Sequence, residues 1–373
     1  MKVTYYSAVI LAVLFLFSGC ATGTDRENGS GTDGNSKEKA VTSQAVEKES
    51  DRDVVDEAVS FNRILDNYTP RKKEYNFYFT YKMVHPWWDA VAMGIEDAAD
   101  RYAARGITIN YEYLAPKTVS ASDQKKRILK AAQEKYDVIG VDVAESSTIS
   151  KVINEVMIDG QKVMTFSSSD IEEEDECGRI AYVGNTHNKE DGEALAKALC
   201  EKLNGKGKVG IIVGNEGAPC HEQRLAGAKS MIESYPDMEI VGIEYDYESS
   251  EKAYEITKKY IGENPDLAGM VCCNMVNPLG AVKAVQEAGL EGKVVIVGMD
   301  HDKQALRYLK EGQIYCLAVQ DCYSIGFDTI QIAIKIADGL KPGDAYDELT
   351  QEKTTVIYQK DAKAMLYKLY GEE

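Results

Sequence analysis

Histidine and tryptophan are scarce: four His and two Trp in 373 residues. The histidines, His85, His187, His221 and His301, stand singly, without the paired spacing of a zinc site. No P-loop, Gly-x-Ser-x-Gly elbow or His-Glu-x-x-His occurs. With no nucleophile–base pair in view, the residues make no case for an enzyme, a metal or a cofactor. Cysteine is present eight times but never as Cys-x-x-Cys. With Cys20 set apart for the reason given below, an odd number remains: Cys177, Cys200, Cys220, Cys272, Cys273, Cys316 and Cys322. That count argues against a disulfide framework. The seven read as small buried apolar residues, with a single bridge such as Cys316 to Cys322 left open. Positive charge is in deficit, Lys+Arg 43 against Asp+Glu 61 for a net −18, and no basic patch stands out. A phosphate backbone would be repelled, so nucleic acid is not an expected partner. The acidic run Asp170 to Glu176, "DIEEEDE", lacks the alternation and glycine of a calcium loop and reads as a solvated turn.

What is present begins with "MKVTYYSAVILAVLFLFSGC". A lysine at position 2, an apolar run from Ala8 to Phe17 and small residues after it have the form of a signal peptide. The run is too short for a comfortable membrane span. Its Ser18-Gly19-Cys20 ending resembles the lipobox of bacterial lipoproteins, with Phe17 where leucine is preferred. The resemblance implies removal of residues 1–19 and lipidation of Cys20. Residues 21 to about 50 are polar and Gly/Ser/Thr-rich, so they bury too little to offset their ordering entropy and read as a disordered tether. Val54, Ala58, Phe61 and Leu65 recur at helical spacing, so the expected tether region, 20–72, includes a short helix.

From Tyr75 the pattern alternates: strand-like "NFYFTYKM", helical "WDAVAMGIEDAADRYAARG", strand-like "ITINYEYL", and so on to the final "KTTVIYQKDAKAMLYKL". Short apolar runs separated by helical stretches predict βαβ units and parallel sheets. The series restarts after "GRIAYVGN", giving two halves of similar size. The predicted fold class is α/β, with two tandem Rossmann-like doubly wound parallel-sheet domains. Ligands of such sheets bind beyond the carboxyl ends of the strands, and two such edges facing each other make a cleft.

An export signal followed by two tandem α/β halves resembles the type I periplasmic binding proteins, within them the ribose/galactose branch that serves ABC importers. The resemblance covers the chain from about Tyr75 onward. It implies a three-segment hinge, with 73–184 plus 321–351 as the first domain and 185–320 plus 352–373 as the second. It also implies binding without catalysis. A sugar offers polar edges and apolar faces, so its site needs an aromatic plane and fixed bidentate donors and acceptors.

The resemblance then assigns residues. "HPWW" stands where the family carries Asn-Pro-Phe-Phe, so Trp87 and Trp88 are the expected aromatics and His85 replaces the asparagine. Neighbours on a helix diverge by about 100°, so the two rings are not expected to make the same contact. Arg224 in "CHEQRLAGAKSM", Asn274 in "CCNMVNPLGAV", Asp300 in "VVIVGMDHD" and Gln320 in "IYCLAVQD" match family positions. Asp300 has a competing role as a helix N-cap, which His301 or Asp302 can take instead. Where the ribose branch carries Asp-Arg, this chain reads Ser167-Ser168, so the ligand need not be ribose. Asn185 and Asp142 are further candidates. The resemblance implies a monomeric lipoprotein anchored on the outer face of the cell membrane. It would carry a monosaccharide or polyol to an ABC permease. Presentation to a sensor kinase or chemoreceptor, and a nucleoside as ligand, stay open.

Overall fold

The computed structural model of the chain describes residues 54–85, 87–115 and 119–372. The expected signal peptide over residues 1–19, the expected lipidation site Cys20 and the stretch up to residue 53 lie outside the described residues. Residues 54–58 form a short helix, α1. Two six-stranded sheets follow. The first half runs β1 (Glu74–Thr80), α2 (Trp87–Ala104), β2 (Thr108–Leu114), α3 (Ala121–Glu134), β3 (Val138–Val141), α4 (Ser146–Ile158), β4 (Val163–Ser167) and β5 (Tyr182–Gly184). The second runs α5 (Asn188–Lys202), β6 (Lys206–Val213), α6 (Pro219–Glu233), β7 (Asp237–Tyr245), α7 (Ser250–Glu263), β8 (Leu267–Cys272), α8 (Asn277–Glu287), β9 (Val295–Met299), α9 (Lys303–Lys310) and β10 (Cys316–Gln320). The chain ends α10 (Cys322–Ala337), β11 (Leu349–Gln351), β12 (Thr354–Tyr358) and α11 (Gln359–Tyr370).

The sheet orders are β11-β5-β4-β3-β1-β2 and β12-β10-β9-β8-β6-β7. Every pair in the first is parallel. The second is parallel except for β12, which runs against β10. Central strands such as "VIGV" of β3 and "CLAVQ" of β10 are buried throughout, as covering both sheet faces with helices requires. The order reverses beside β1 in one sheet and beside β6 in the other, which opens a crevice at the carboxyl ends of those strands. The chain passes between the two lobes after β5, after β10, and between β11 and β12.

Helices that cover the sheets approach unusually closely at glycines. A Cβ on Gly94 of α2 would lie 2.0 Å from the Tyr323 carbonyl oxygen, and one on Gly326 of α10 would lie 2.0 Å from that of Val91. The second lobe repeats the device: Gly192 of α5 faces the Arg224 carbonyl oxygen at 2.0 Å and Gly227 of α6 faces that of Lys189 at 1.9 Å.

The segment before β1, which sequence places in the tether, packs on the body. Val55, Ala58, Val59 and Leu65 are buried. Arg63 pairs with Asp328 and, at 2.7 Å, with Glu352, while Tyr68 donates to Asp338. Cys316 and Cys322 are both free thiols, as are the other five cysteines of the described residues.

Candidate functional site

Loops at the carboxyl ends of both sheets converge on one cavity. The first lobe supplies Lys82, Met83 and His85 from the turn after β1, Trp87 and Trp88 from the start of α2, and Ser168 from beyond β4. The second supplies His221 and Arg224 from α6, Glu248 from beyond β7, Asn274 and Met275 from beyond β8, Asp300 from beyond β9, and Gln320 from the end of β10.

The two indoles are buried and meet edge to face, with centroids 4.7 Å apart and planes at 78°. Both reach the cavity, but only Trp88 is built into an aromatic cluster, with Tyr81, Tyr113 and Phe166 around it. Trp87 Nε1 has no hydrogen-bond partner, and neither does His85 Nε2 nor Arg224 Nε, although all three are buried. Buried polar atoms are nearly always paired, so three without a hydrogen bond around a single cavity single it out as the candidate site.

Arg224 is fixed from behind: one guanidinium nitrogen donates to the Cys273 carbonyl at 3.2 Å and another to Asn188 Oδ1 at 2.8 Å. Asn188 in turn donates to the Ser168 carbonyl of the first lobe at 2.6 Å. Asp300 sits at φ +65, a left-handed conformation costly for a non-glycine residue, and accepts from Gln320 Nε2 at 2.9 Å. The N-cap of α9 is Asp302, which accepts from the Gln304 and Ala305 amides, so Asp300 is spared that task. Asn274 Oδ1 accepts from the Val276 and Asn277 amides while its Nδ2 donates to Asp246 at 3.1 Å. Its turn-forming and site-lining roles therefore coexist.

Three candidates stand apart from the cavity lining. Asp142 lies behind it, bridging the Lys82 amide (2.8 Å) and ammonium (3.1 Å), and Ser167 donates to the same carboxylate at 2.5 Å. Asn185 lies at the first crossing, donating to Asp191 at 2.6 Å and to Thr354 at 3.2 Å. Of the serines where the ribose branch carries a charged pair, only Ser168 lines the cavity.

The structure adds Lys82, Met83, His221, Glu248 and Met275 to the wall. Lys82 lies two residues past the end of β1, so its place beyond a strand end is a usable signal. Burial pulls its ammonium down, but Asp142, Cys220 and Glu248 together more than offset this and hold its pKa above the ordinary lysine value. Glu248 follows Tyr247, and the two have φ of 62° and 55°. Two successive left-handed residues re-aim the chain, placing the carboxylate 3.3 Å from His221 Nε2 and 3.7 Å from His85 Nε2 across the cavity. Nothing in composition or spacing foretells that turn. Burial lowers the affinity of His221 for a proton, but Cys220 and Glu248 more than restore it. Burial raises the Cys220 thiol, yet the His221 imidazole and the Lys82 ammonium hold it well below the ordinary value.

The cavity thus joins the indoles, Lys82 and His85 of one lobe to a charged, hydrogen-bonding wall on the other, the two-lobed α/β arrangement of a small-molecule binding protein. The periplasmic binding protein domain model matches residues 77–341, and the chain belongs to that family. The family and the relatives named here are substrate-binding proteins, not enzymes. One relative is a D-ribose/D-allose-binding protein of Pseudomonas aeruginosa, 28% identical over 178 residues, 48% of this chain. The chain spans only 55% of that relative's length. A ribose import binding protein of Bacillus subtilis is 22% identical over 73% of this chain and 83% of its own. Among solved structures, a glucose-galactose binding protein from Geobacillus stearothermophilus superposes with a TM-score of 0.69 at 26% identity, covering 78% of this chain and 99% of that one. Among the described residues no helix is long and apolar enough to cross a membrane.

Proposed function

We propose that this chain is an extracytoplasmic, lipid-anchored binding protein. It captures a monosaccharide or polyol between its lobes and delivers it to an ABC-type importer. The observation that carries the reading is the convergence of Trp87, Trp88, Arg224, Asn274, Asp300 and Gln320 on one interlobe cavity. Together they offer an aromatic face and a ring of fixed polar atoms, the complement of a hydroxylated ring. The named sugar-binding relatives support the ligand class, and the lipobox-like Ser18-Gly19-Cys20 supports the anchor.

The test is a thermal-shift panel of pentoses, hexoses, polyols and nucleosides on the full chain. A true ligand at one hundred times its Kd stabilises the folded state by roughly 2.7 kcal/mol. A shift with a sugar or polyol supports the reading; a shift with a nucleoside alone overturns the ligand class.

A further inference from the structure

We propose that Asp300, His301 and Cys322 form a site for one zinc-type divalent cation, placed across the second interlobe crossing. All three residues are buried, and one ligand atom from each lies within 4.8 Å of the others. Carboxylate, imidazole and thiolate are the donors that tetrahedral zinc accepts, and three protein donors leave a fourth position for water or a ligand. Bonds of about 2.0–2.3 Å place such donors roughly 3.5 Å apart, so a contraction of about an ångström closes the site.

A second observation points to a ligand independently of this clustering. His301 is 3% exposed, and its Nδ1 is buried without a hydrogen-bond partner. A ring nitrogen in that state is costly to keep, and a metal bond satisfies it. The neighbours leave the other donors available. Asp300 Oδ1 takes one bond from Gln320. Cys322 is a free thiol whose Sγ makes a weak contact to the Gln320 carbonyl at 3.4 Å.

The placement gives the ion a mechanical role. Asp300 and His301 follow β9 of the second lobe, whereas Cys322 opens α10, which packs on α2 of the first. An ion held by all three ties the lobes together at the hinge. Because Asp300 also lines the cavity, the ion would sit at the cavity floor and compete with, or complete, the binding of a small polar ligand. This inference does not depend on which ligand the cavity takes.

The test titrates the reduced full chain with Co²⁺ alone. A thiolate site gives a near-ultraviolet sulfur-to-cobalt charge-transfer band, which surface carboxylates do not give. The expected result is saturation at one equivalent, displacement by Zn²⁺, and the same band in Cys200→Ser. In Cys322→Ser the band disappears. Zinc affinity there falls by more than the ~10–100-fold that loss of a mere supporting contact costs. His301→Gln provides a second variant: it weakens zinc but keeps a thiolate band at high cobalt. Absence of a charge-transfer band in the unaltered chain, or its survival in Cys322→Ser, overturns the proposal. No sugar enters the experiment, so its failure leaves the ligand reading standing.

Discussion

At the scale of single residues, the cavity is lined by side chains that are only partly satisfied. Arg224 is anchored through two nitrogens while its Nε is left unpaired. Lysine keeps the charge but loses the planar fork. Arg224→Lys should therefore weaken ligand binding at least about tenfold, since a hydrogen bond to a charged group is worth about 1.5–3 kcal/mol. Isothermal titration with the sugar found by the panel measures this, and unchanged affinity would remove Arg224 from the site. Asp246 gives a pH-dependent counterpart. Burial, then the Glu248 carboxylate, pushes its pKa up to about 7. In the unfolded chain it ionises near its ordinary value, so the folded state loses relative stability as pH rises from about 4 to about 7 and none beyond. Wild type should thus exceed Asp246→Asn in stability by more at about pH 5 than at about pH 8, read by urea unfolding. Equal differences at the two values would show an ionised Asp246. The residues legible in sequence were those that follow a strand end in a recognisable string: Asp300, Asn274 and the tryptophans. Glu248 and His221 were not, because their direction depends on two left-handed residues and on a helix start that periodicity does not resolve.

At the scale of elements, the alternation of apolar strands and amphipathic helices was readable because the central strands are buried on both faces and most helices on one. Two things were not. β11 is only three residues, half exposed at Leu349, and carries no apolar signal. The close helix crossings depend on glycines whose meaning appears only when the partner backbone is in place. Gly192 is the telling case, because the atoms it admits belong to the backbone of Arg224. An added methyl has no flexible side chain to push aside, and overpacking of this kind costs about 1–3 kcal/mol. Gly192→Ala should lower stability by that amount and also weaken ligand binding, since moving α6 moves Arg224. Gly94→Ala meets the Tyr323 carbonyl instead and should cost similar stability with less loss of affinity. Unfolding and calorimetric titration on the two variants compare them; equal losses of affinity would mean that the α5–α6 crossing does not position Arg224.

At the scale of the molecule, binding is a question of how far apart the lobes stand. A ligand shifts that equilibrium only by its differential affinity for the closed state. Asn188 is well placed to set the balance. It sits at the start of α5 in the second lobe, donates to the Ser168 carbonyl in the first, and accepts from Arg224. Asn188→Asp retains the acceptor for Arg224 but replaces the donor facing Ser168 with a carboxylate oxygen, turning an interlobe attraction into a repulsion. The variant should populate open forms, with a larger ligand-free radius of gyration by small-angle scattering. Its apparent Kd should rise in inverse proportion to the closed fraction, so a drop from nearly all closed to about one part in ten costs about tenfold. Saturating ligand should return the radius to that of wild type. A variant that binds weakly with an unchanged radius would show instead that Asn188 acts through Arg224 alone, and that the closure equilibrium is governed by other contacts between the lobes.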